Sequence, residues 1–260
     1  LESRARNNYD EKDGEEFLMA AIHKGSRTLN GKARQQLLTA AACVVMLLAY
    51  MAVFFESLIH FDGWHYYLLP VLWIFGIFYY RRSYKIYKSG AAGEDGLLAE
   101  LKKLPNSYHV FTNYRIEEKR IRDEIDFVVV GKNGVFIIEV KNHVGKITGG
   151  ADDVEWQQEK LGKHGAPQKK AMRNPVKQAK WHNANVSRLL YRNGIKLPTR
   201  VMLVFTNPNV SLDIETDGIP VLTESAAAVN YILSKNGGNR LDADKVNKIS
   251  EWLLEYEKKL

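Results

Sequence analysis

The chain has 260 residues, enough for one or two domains, with a formal charge of +7 and a pI near 9.2. That positive excess favours an anionic partner, nucleic acid or anionic lipid. The single cysteine, Cys43, lies in an apolar run, which excludes a disulfide framework and a cysteine zinc site and fits a reducing compartment for the soluble part.

Residues 1–35 are polar and mixed in charge, and residues 15–23 are expected to form one short helix. Residues 37–55, LLTAAACVVMLLAYMAVFF, carry no charge. At ~1.5 Å per residue they are about one bilayer thick. Residues 64–80, WHYYLLPVLWIFGIFYY, are also uncharged and have aromatics at both ends, as membrane interfaces prefer. The two runs are expected to form a transmembrane helical hairpin. Lys24, Arg27, Lys32 and Arg34 precede it, and Arg81, Arg82, Lys85 and Lys88 follow it. The connector carries Glu56 and Asp62 and no lysine or arginine. The positive-inside rule then places both termini in the cytoplasm, with the basic collars against anionic headgroups.

A soluble α/β domain is expected from residue 92. Residues 93–104 read as a helix ended by Pro105, with Leu97, Leu98, Leu101 and Leu104 on one stripe. Glu94 falls on that inward stripe, at the helix N-terminus, where an acid is also favoured by the helix dipole. Residues 108–114 form a strand. Residues 126–141, DFVVVGKNGVFIIEVK, read as two strands joined by a tight turn around Asn133-Gly134. Side chains two apart share a face, so Glu139 and Lys141 face with Val135 and Ile137, while Phe136, Ile138 and Val140 take the other face. Pairing across the turn brings Asp126 beside Glu139. Charges on so apolar a strand need partners, and a metal ion between the carboxylates would supply one.

Residues 145–158 read as an irregular or edge hairpin, with Val154 and Trp156 alternating, and residues 160–173 as an exposed basic loop. Asn174 suits a helix N-cap, Pro175 the first turn and Gly194 the stop, for a helix bearing Gln178, Trp181, His182 and Asn185. Residues 200–206, RVMLVFT, suit the middle of a sheet. Residues 219–222 form a short strand, and Thr223 caps a helix through residue 233. The tail, 244–260, is an amphipathic helix with Val246, Ile249, Trp252, Leu253 and Tyr256 at helical spacing. The expected divisions are an N-terminal segment 1–35, the hairpin 36–80, a basic linker 81–91, the α/β domain 92–236 and the C-terminal helix 237–260.

The order is a helix with an inward Glu, a strand, a hairpin with Asp then Glu-x-Lys, a helix bearing a Gln, and a buried strand. This resembles the PD-(D/E)xK nuclease superfamily. More closely, Gly93-Glu94 with Gly96, Glu124-Ile125-Asp126, Ile138-Glu139-Val140-Lys141, and Asn174-Pro175 with Gln178 resemble the nuclease-related domain, NERD, over about residues 92–206. The resemblance implies a mixed central β-sheet flanked by helices, of restriction-endonuclease type, here preceded by the hairpin. It implies that Asp126, Glu139 and the Val140 carbonyl bind Mg²⁺ or Mn²⁺. Lys141 would orient or help deprotonate the attacking water and offset negative charge, Glu94 would complete the metal shell through water or hold a second ion, and Gln178 would position water or phosphate. Ile125 stands where the superfamily name has a proline. His143, two residues past Lys141 on the same face, reads as a surface histidine, with contact to phosphate as the alternative.

Lys160, Lys163, His164, Lys169, Lys170, Arg173, Lys177 and Lys180 fall in one stretch against a single acid, Glu159. They are expected to make non-specific contacts to nucleic-acid phosphates. No base-reading motif accompanies them. The expectation is a metal-dependent nuclease in a bacterial inner membrane, with its domain in the cytoplasm, acting on DNA. Its alternatives are a catalytically weak nucleic-acid-binding module and a membrane-anchored protein scaffold.

Overall fold

The computed structural model describes residues 19–25, 28–60, 63–118, 121–162, 165–235 and 241–260. These fall into two compact units, one of residues up to 25 together with 93–260, the other of residues 26–92.

The smaller unit holds helix α1 (Leu29–Val53), the short α2 (Phe55–Ile59) and the first part of α3 (His65–Leu101). Thr28 caps α1, its Oγ1 accepting from the Gly31 amide at 3.1 Å. Inside this unit α1 and α3 run antiparallel. Lys88 Nζ donates to Asn30 Oδ1 at 3.3 Å, and the Tyr50 hydroxyl donates to the Tyr66 carbonyl at 3.1 Å. The Tyr50 and Trp73 rings meet edge-on with centroids 5.5 Å apart.

Among the described residues α1 is the one helix long and apolar enough to cross a bilayer. Its apolar side chains point outward, as at Val45 (63% exposed) and Val53 (74%). The expectation of two such spans is therefore met by one. In α3 the uncharged part is limited to residues 65–80, about 24 Å of helix. It also carries His65, Pro70 and the tyrosines 66, 67, 79 and 80, which lower its apolar character. Residues 81–91, expected as a linker, are helical within α3.

In the larger unit a six-stranded mixed sheet runs in the order β1 (Ala21–Lys24), β2 (His109–Glu118), β3 (Ile121–Gly131), β4 (Gly134–Lys141), β8 (Thr199–Phe205) and β10 (Val221–Leu222). Strands β2, β3 and β4 form an antiparallel meander, and β4, β8 and β10 are parallel. The β3–β4 turn is set by Gly134, whose φ of 118° suits glycine alone, and Gly131 pairs with Gly134 across the ladder. One face of the sheet packs Phe136, Ile138 and Val140 against Leu97 and Leu101 of α3 and Ile232 of α5 (Ser225–Ser234). The other packs Val135 and Ile137 against Val186 and Leu190 of α4 (Pro175–Arg192) and Leu253 of α6 (Ala243–Lys258). The alternation read from residues 135–141 is the observed one.

A second sheet, of which only an edge hairpin over residues 145–158 was expected, has four strands in the order β7 (Pro167–Arg173), β6 (Glu155–Leu161), β5 (Gly145–Gly149) and β9 (Val210–Ile214). Residues 160–173 are thus not a loop throughout, because β7 pairs antiparallel with β6 from Glu155↔Arg173 to Leu161↔Pro167. The segment PQKKAMR lacks the apolar alternation of a half-buried strand, as befits a lysine-bearing sheet edge. Trp156 and Ile147 fasten this sheet to Val176 and Ala179 of α4 and to Phe205 of β8.

Two smaller differences matter. Residues 21–24 form strand β1, parallel to β2, where a helix over 15–23 was expected; residues 15–18 lie outside the described residues. Helix α5 starts after Glu224 rather than Thr223, without a side-chain cap. Helix α6 packs on β2, where the Tyr114 hydroxyl donates to the Leu253 carbonyl at 3.1 Å.

Candidate metal and phosphate site

Strand alternation aims Glu139 and Lys141 at α4, whose buried face presents Gln178 and His182 one turn apart. Lys141 Nζ donates to Glu139 Oε1 at 2.6 Å and to Gln178 Oε1 at 3.2 Å. His182 Nδ1 lies 3.2 Å from Glu139 Oε2, and its Nε2 lies 3.3 Å from Asp123 Oδ2 on β3. Glu139 is 1% exposed and His182 is fully enclosed.

Helix α4 is fixed firmly enough to hold this geometry. Asn174 Oδ1 accepts from the Val176 and Lys177 amides at 2.9 and 3.3 Å, while its Nδ2 donates to the carbonyls of Gly150, Ala151 and Asp153. At the other end Gly194, with φ 76°, closes the helix: its amide reaches Tyr191 O, and the Ile195 amide reaches Leu190 O.

Asp126 meets this group from β3. Its Oδ2 accepts from the Val140 amide at 2.7 Å, just beyond the last β3–β4 ladder pair, Phe127↔Ile138. Glu94 arrives from α3, where Gly93 lets the helix backbone touch the strand ends. A Cβ there would lie 2.5 Å from Thr206 Oγ1 and 2.8 Å from Asn142 Cβ. Glu94 Oε2 accepts from Asn113 Nδ2 at 3.1 Å. Asn113 sits inside β2 with φ 50°, a left-handed conformation that Asn tolerates better than most residues. Phe111 and Tyr114, three residues apart, lie in the same cluster, so the alternation of β2 slips at Asn113.

The electrostatics follow from burial and neighbours. Burial raises the Asp126 pKa, and the Glu139 charge raises it further; Lys141 offsets part of this, and Glu94 adds to it. Asp126 is therefore held well above the ordinary carboxylate range. Burial alone would raise Glu139 too, but Lys141 and His182 outweigh it and hold Glu139 low. Burial would lower Lys141, yet Glu139 and Asp126 raise it. Burial would likewise lower His182, but Asp123 and Glu139 lift it to about 9, so it is an imidazolium at neutral pH.

This donor set fits a divalent cation. The Asp126 carboxylate is repelled by those of Glu139 and Glu94. Glu139 Oε2 is sealed from solvent and, beyond its ion pair with His182, makes no hydrogen bond. Hard oxygen donors in this number suit Mg²⁺, which takes one or two carboxylates and completes its shell with water and phosphate. Among the described residues no three His, Cys, Asp or Glu side chains form a ready-made cluster.

The expected substrate-side cations divide. Lys141, Lys170 and Lys160 act on His143, whose pKa burial and then these three ammonium groups push down to about 4. Arg173 acts on Lys141 and on Asp123. Lys169 instead lies 3.9 Å from Glu159, Lys177 Nζ donates to the Asp152 carbonyl at 2.7 Å, and Lys180 pairs with Asp217 at 2.6 Å. Lys163 lies outside the described residues.

Residues 89–206 match the family model of the nuclease-related domain, NERD. The matched stretch, just under half of this chain, is similar to a nuclease-related domain. The family belongs to the PD-(D/E)xK-like nuclease superfamily. The chain is also 33% identical, over 125 residues, to an uncharacterised protein of Bacillus anthracis; the shared stretch is 47% of this chain and 55% of that protein. The chain thus spans about half the length of that relative. No solved structure matches it.

The nuclease-related domain gathers Glu94, Asp126, Glu139, Lys141 and Gln178, the residues that the motifs single out. It adds three to which the motifs give no part: His182, Asp123 and Asn113. His182 follows Gln178 by one helical turn, a spacing visible in the sequence. Asp123 and Asn113 carry no comparable signal, because their roles depend on strand pairing and on one backbone angle.

Proposed function

We propose that this chain is a membrane-anchored, metal-dependent nuclease that hydrolyses phosphodiester bonds, with DNA as its substrate and its nuclease-related domain in the cytoplasm. The single observation that carries the reading is the convergence of Asp126, Glu139 and Lys141 in one enclosed group, with Lys141 Nζ 2.6 Å from Glu139. Asp126, Glu139 and the Val140 carbonyl would hold Mg²⁺ or Mn²⁺. When bound, such an ion lowers the pKa of coordinated water and polarises the phosphoryl oxygen.

The chain's own residues supply the rest. Lys141 places a compact positive charge where negative charge grows on the phosphate. Gln178, within reach of Lys141, orients water or a phosphate oxygen. Glu94 faces the same carboxylates and completes the acidic shell. His182 and Asp123 keep Glu139 ionised and fixed in direction, as outer groups commonly do for metal ligands.

The membrane part of the reading rests on the length of α1 and its outward-facing apolar side chains. The apolar start of α3 would run alongside α1, and the basic flanks before residue 37 and after residue 80 would stay on the cytoplasmic side of a bacterial inner membrane.

A second reading is a nucleic-acid-binding module with weak turnover. It is favoured by the two cations, Lys141 and His182, that already face the Glu139 oxygens and would compete with a metal.

The test is cleavage of DNA by the full chain in detergent with Mg²⁺ or Mn²⁺. Lys141→Met is expected to lose on the order of 10²-fold in turnover. Wild-type cleavage no faster than Glu139→Gln and Lys141→Met would remove the enzyme reading. Salt-sensitive DNA binding that survives both substitutions would then favour the module.

A further inference from the structure

The β6–β7 hairpin has two unlike faces. Trp156, Gln158 and Lys160 share one side of β6, and their partners in the ladder, Met172, Lys170 and Gln168, share the same side of β7. This side is the anchored one: Trp156 is fully buried, and Gln158 Nε2 donates to the Val144 carbonyl at 2.8 Å, next to His143. Lys160 pairs with Gln168 and Lys170 with Gln158, so the two lysines are diagonal neighbours, roughly 7–8 Å apart. Both act on the His143 imidazole together with Lys141. The opposite side carries Glu155, Gln157 and Glu159, with Lys169 set against Glu159.

We infer that the anchored face of the β6–β7 hairpin is a phosphate track, in which Lys160, Lys170 and His143 hold a nucleic-acid backbone phosphate beside the one at Lys141, while Lys169, Lys177 and Lys180 take no part. The inference rests on the nucleic-acid reading above and narrows it to particular residues. Three things support it. Lys160 and Lys170 lie on the side of the hairpin that meets the Glu139–Lys141 strand end. Neither has an acid as its ladder partner, whereas Lys169 faces Glu159. Two further lysines of the stretch are engaged: Lys177 by a carbonyl and Lys180 by Asp217. A neutral His143 among three ammonium groups keeps a donor nitrogen for a phosphate oxygen without adding to their mutual repulsion. Lysines that merely guard a sheet edge against pairing need no such division between faces.

The experiment compares two charge-matched double variants of the full chain in detergent, Lys160→Gln with Lys170→Gln and Lys169→Gln with Lys180→Gln. Binding to a labelled duplex DNA oligonucleotide is titrated at several salt concentrations in EDTA, so that nothing is cut. The anchored-face pair is expected to weaken binding about tenfold near physiological salt and to reduce the slope of log affinity against log salt by about 1.8, two contacts' worth. The other pair is expected to leave both quantities near wild type. Lys169, Lys170 and Lys180 are exposed and Lys160 is half-buried, and thermal unfolding of each variant checks that the fold is retained. Equal losses from the two pairs, or no loss from either, would overturn the phosphate track while leaving the nuclease reading intact. Failure of the wild-type chain to bind DNA at all would overturn both.

Discussion

His182 Nδ1 lies 3.2 Å from Glu139 Oε2, with both side chains shut away from solvent. Because Asp123 faces the other ring nitrogen, the imidazole is a cation fixed between two acids. Truncating it leaves a buried carboxylate facing only Lys141. His182→Ala is expected to destabilise the domain by about 3–5 kcal/mol, the usual cost of removing one partner from a buried ion pair. His182→Gln, which can still donate a hydrogen bond, should cost less. Denaturant unfolding of the two variants beside wild type measures the difference.

Asn113 combines a left-handed backbone with a hydrogen bond to Glu94. The two contributions can be separated. Asn113→Gly keeps the backbone comfortable and loses only the side-chain bond. Asn113→Ala loses the bond and strains the chain as well. Ala should therefore be less stable than Gly by about 1 kcal/mol, the reverse of their usual order in regular secondary structure. Thermal or urea unfolding reads the order directly. Equal stability of the two would mean that the φ of 50° is not a constraint in solution.

Gly93 is a position of close approach rather than of unusual backbone. A methyl group there meets Thr206 Oγ1 and Asn142 Cβ well inside contact distance. Gly93→Ala should destabilise by about 1–3 kcal/mol, as overpacking does. Gly96, further along α3, has open space where a Cβ would stand, with nothing within 4 Å. Gly96→Ala should therefore be neutral or slightly stabilising in a helix. Urea midpoints of the two variants check the contrast.

His23 on β1 and His109 on β2 hold one another across a parallel strand pair. His23 Nε2 is 3.0 Å from His109 Nδ1, and the rings stack with centroids 5.3 Å apart. Burial, and then the neighbouring His109, lower His23 from 6.5 to about 4. Burial also lowers His109, against the raising effects of Asn247 and Glu251. A histidine whose folded pKa lies below its unfolded value contributes stability above the unfolded pKa and loses it as pH falls. Stability should therefore decline between pH 6.5 and about 4. His143 shifts in the same direction. The share of the pair is thus the difference between wild type and His23→Gln, which should show a shallower decline. Urea unfolding across that pH range measures both; identical slopes would count against the pair.

Much of the site was legible in the sequence because its signals are local. The period-two pattern of residues 135–141 placed Glu139 and Lys141 on one side of a strand, and Asn133-Gly134 marked the turn that brings Asp126 back. Asn174-Pro175 and Gly194 bounded α4 and so placed Gln178. Of the second sheet only the β5–β6 hairpin was legible. Its β7 edge strand, PQKKAMR, has no apolar alternation and so resembles a loop, and β9 joins β5 through a parallel pairing distant in sequence. Strand β1 was hidden for a related reason, since its pairing with β2 crosses the whole of α1 and α3. The second apolar run does not match α1 in length and apolar character, because its tyrosines and His65 lower its hydropathy.

The proposed chemistry depends on Asp126 and Glu139 holding one divalent cation between β3 and β4. Calorimetric titration of Mn²⁺ into the full chain in detergent tests this most directly. The prediction is one metal-dependent binding event per chain at the domain, lost in Asp126→Asn and in Glu139→Gln, with Lys141→Met retaining it. Unchanged Mn²⁺ binding in both carboxylate variants, or none in wild type, would contradict it.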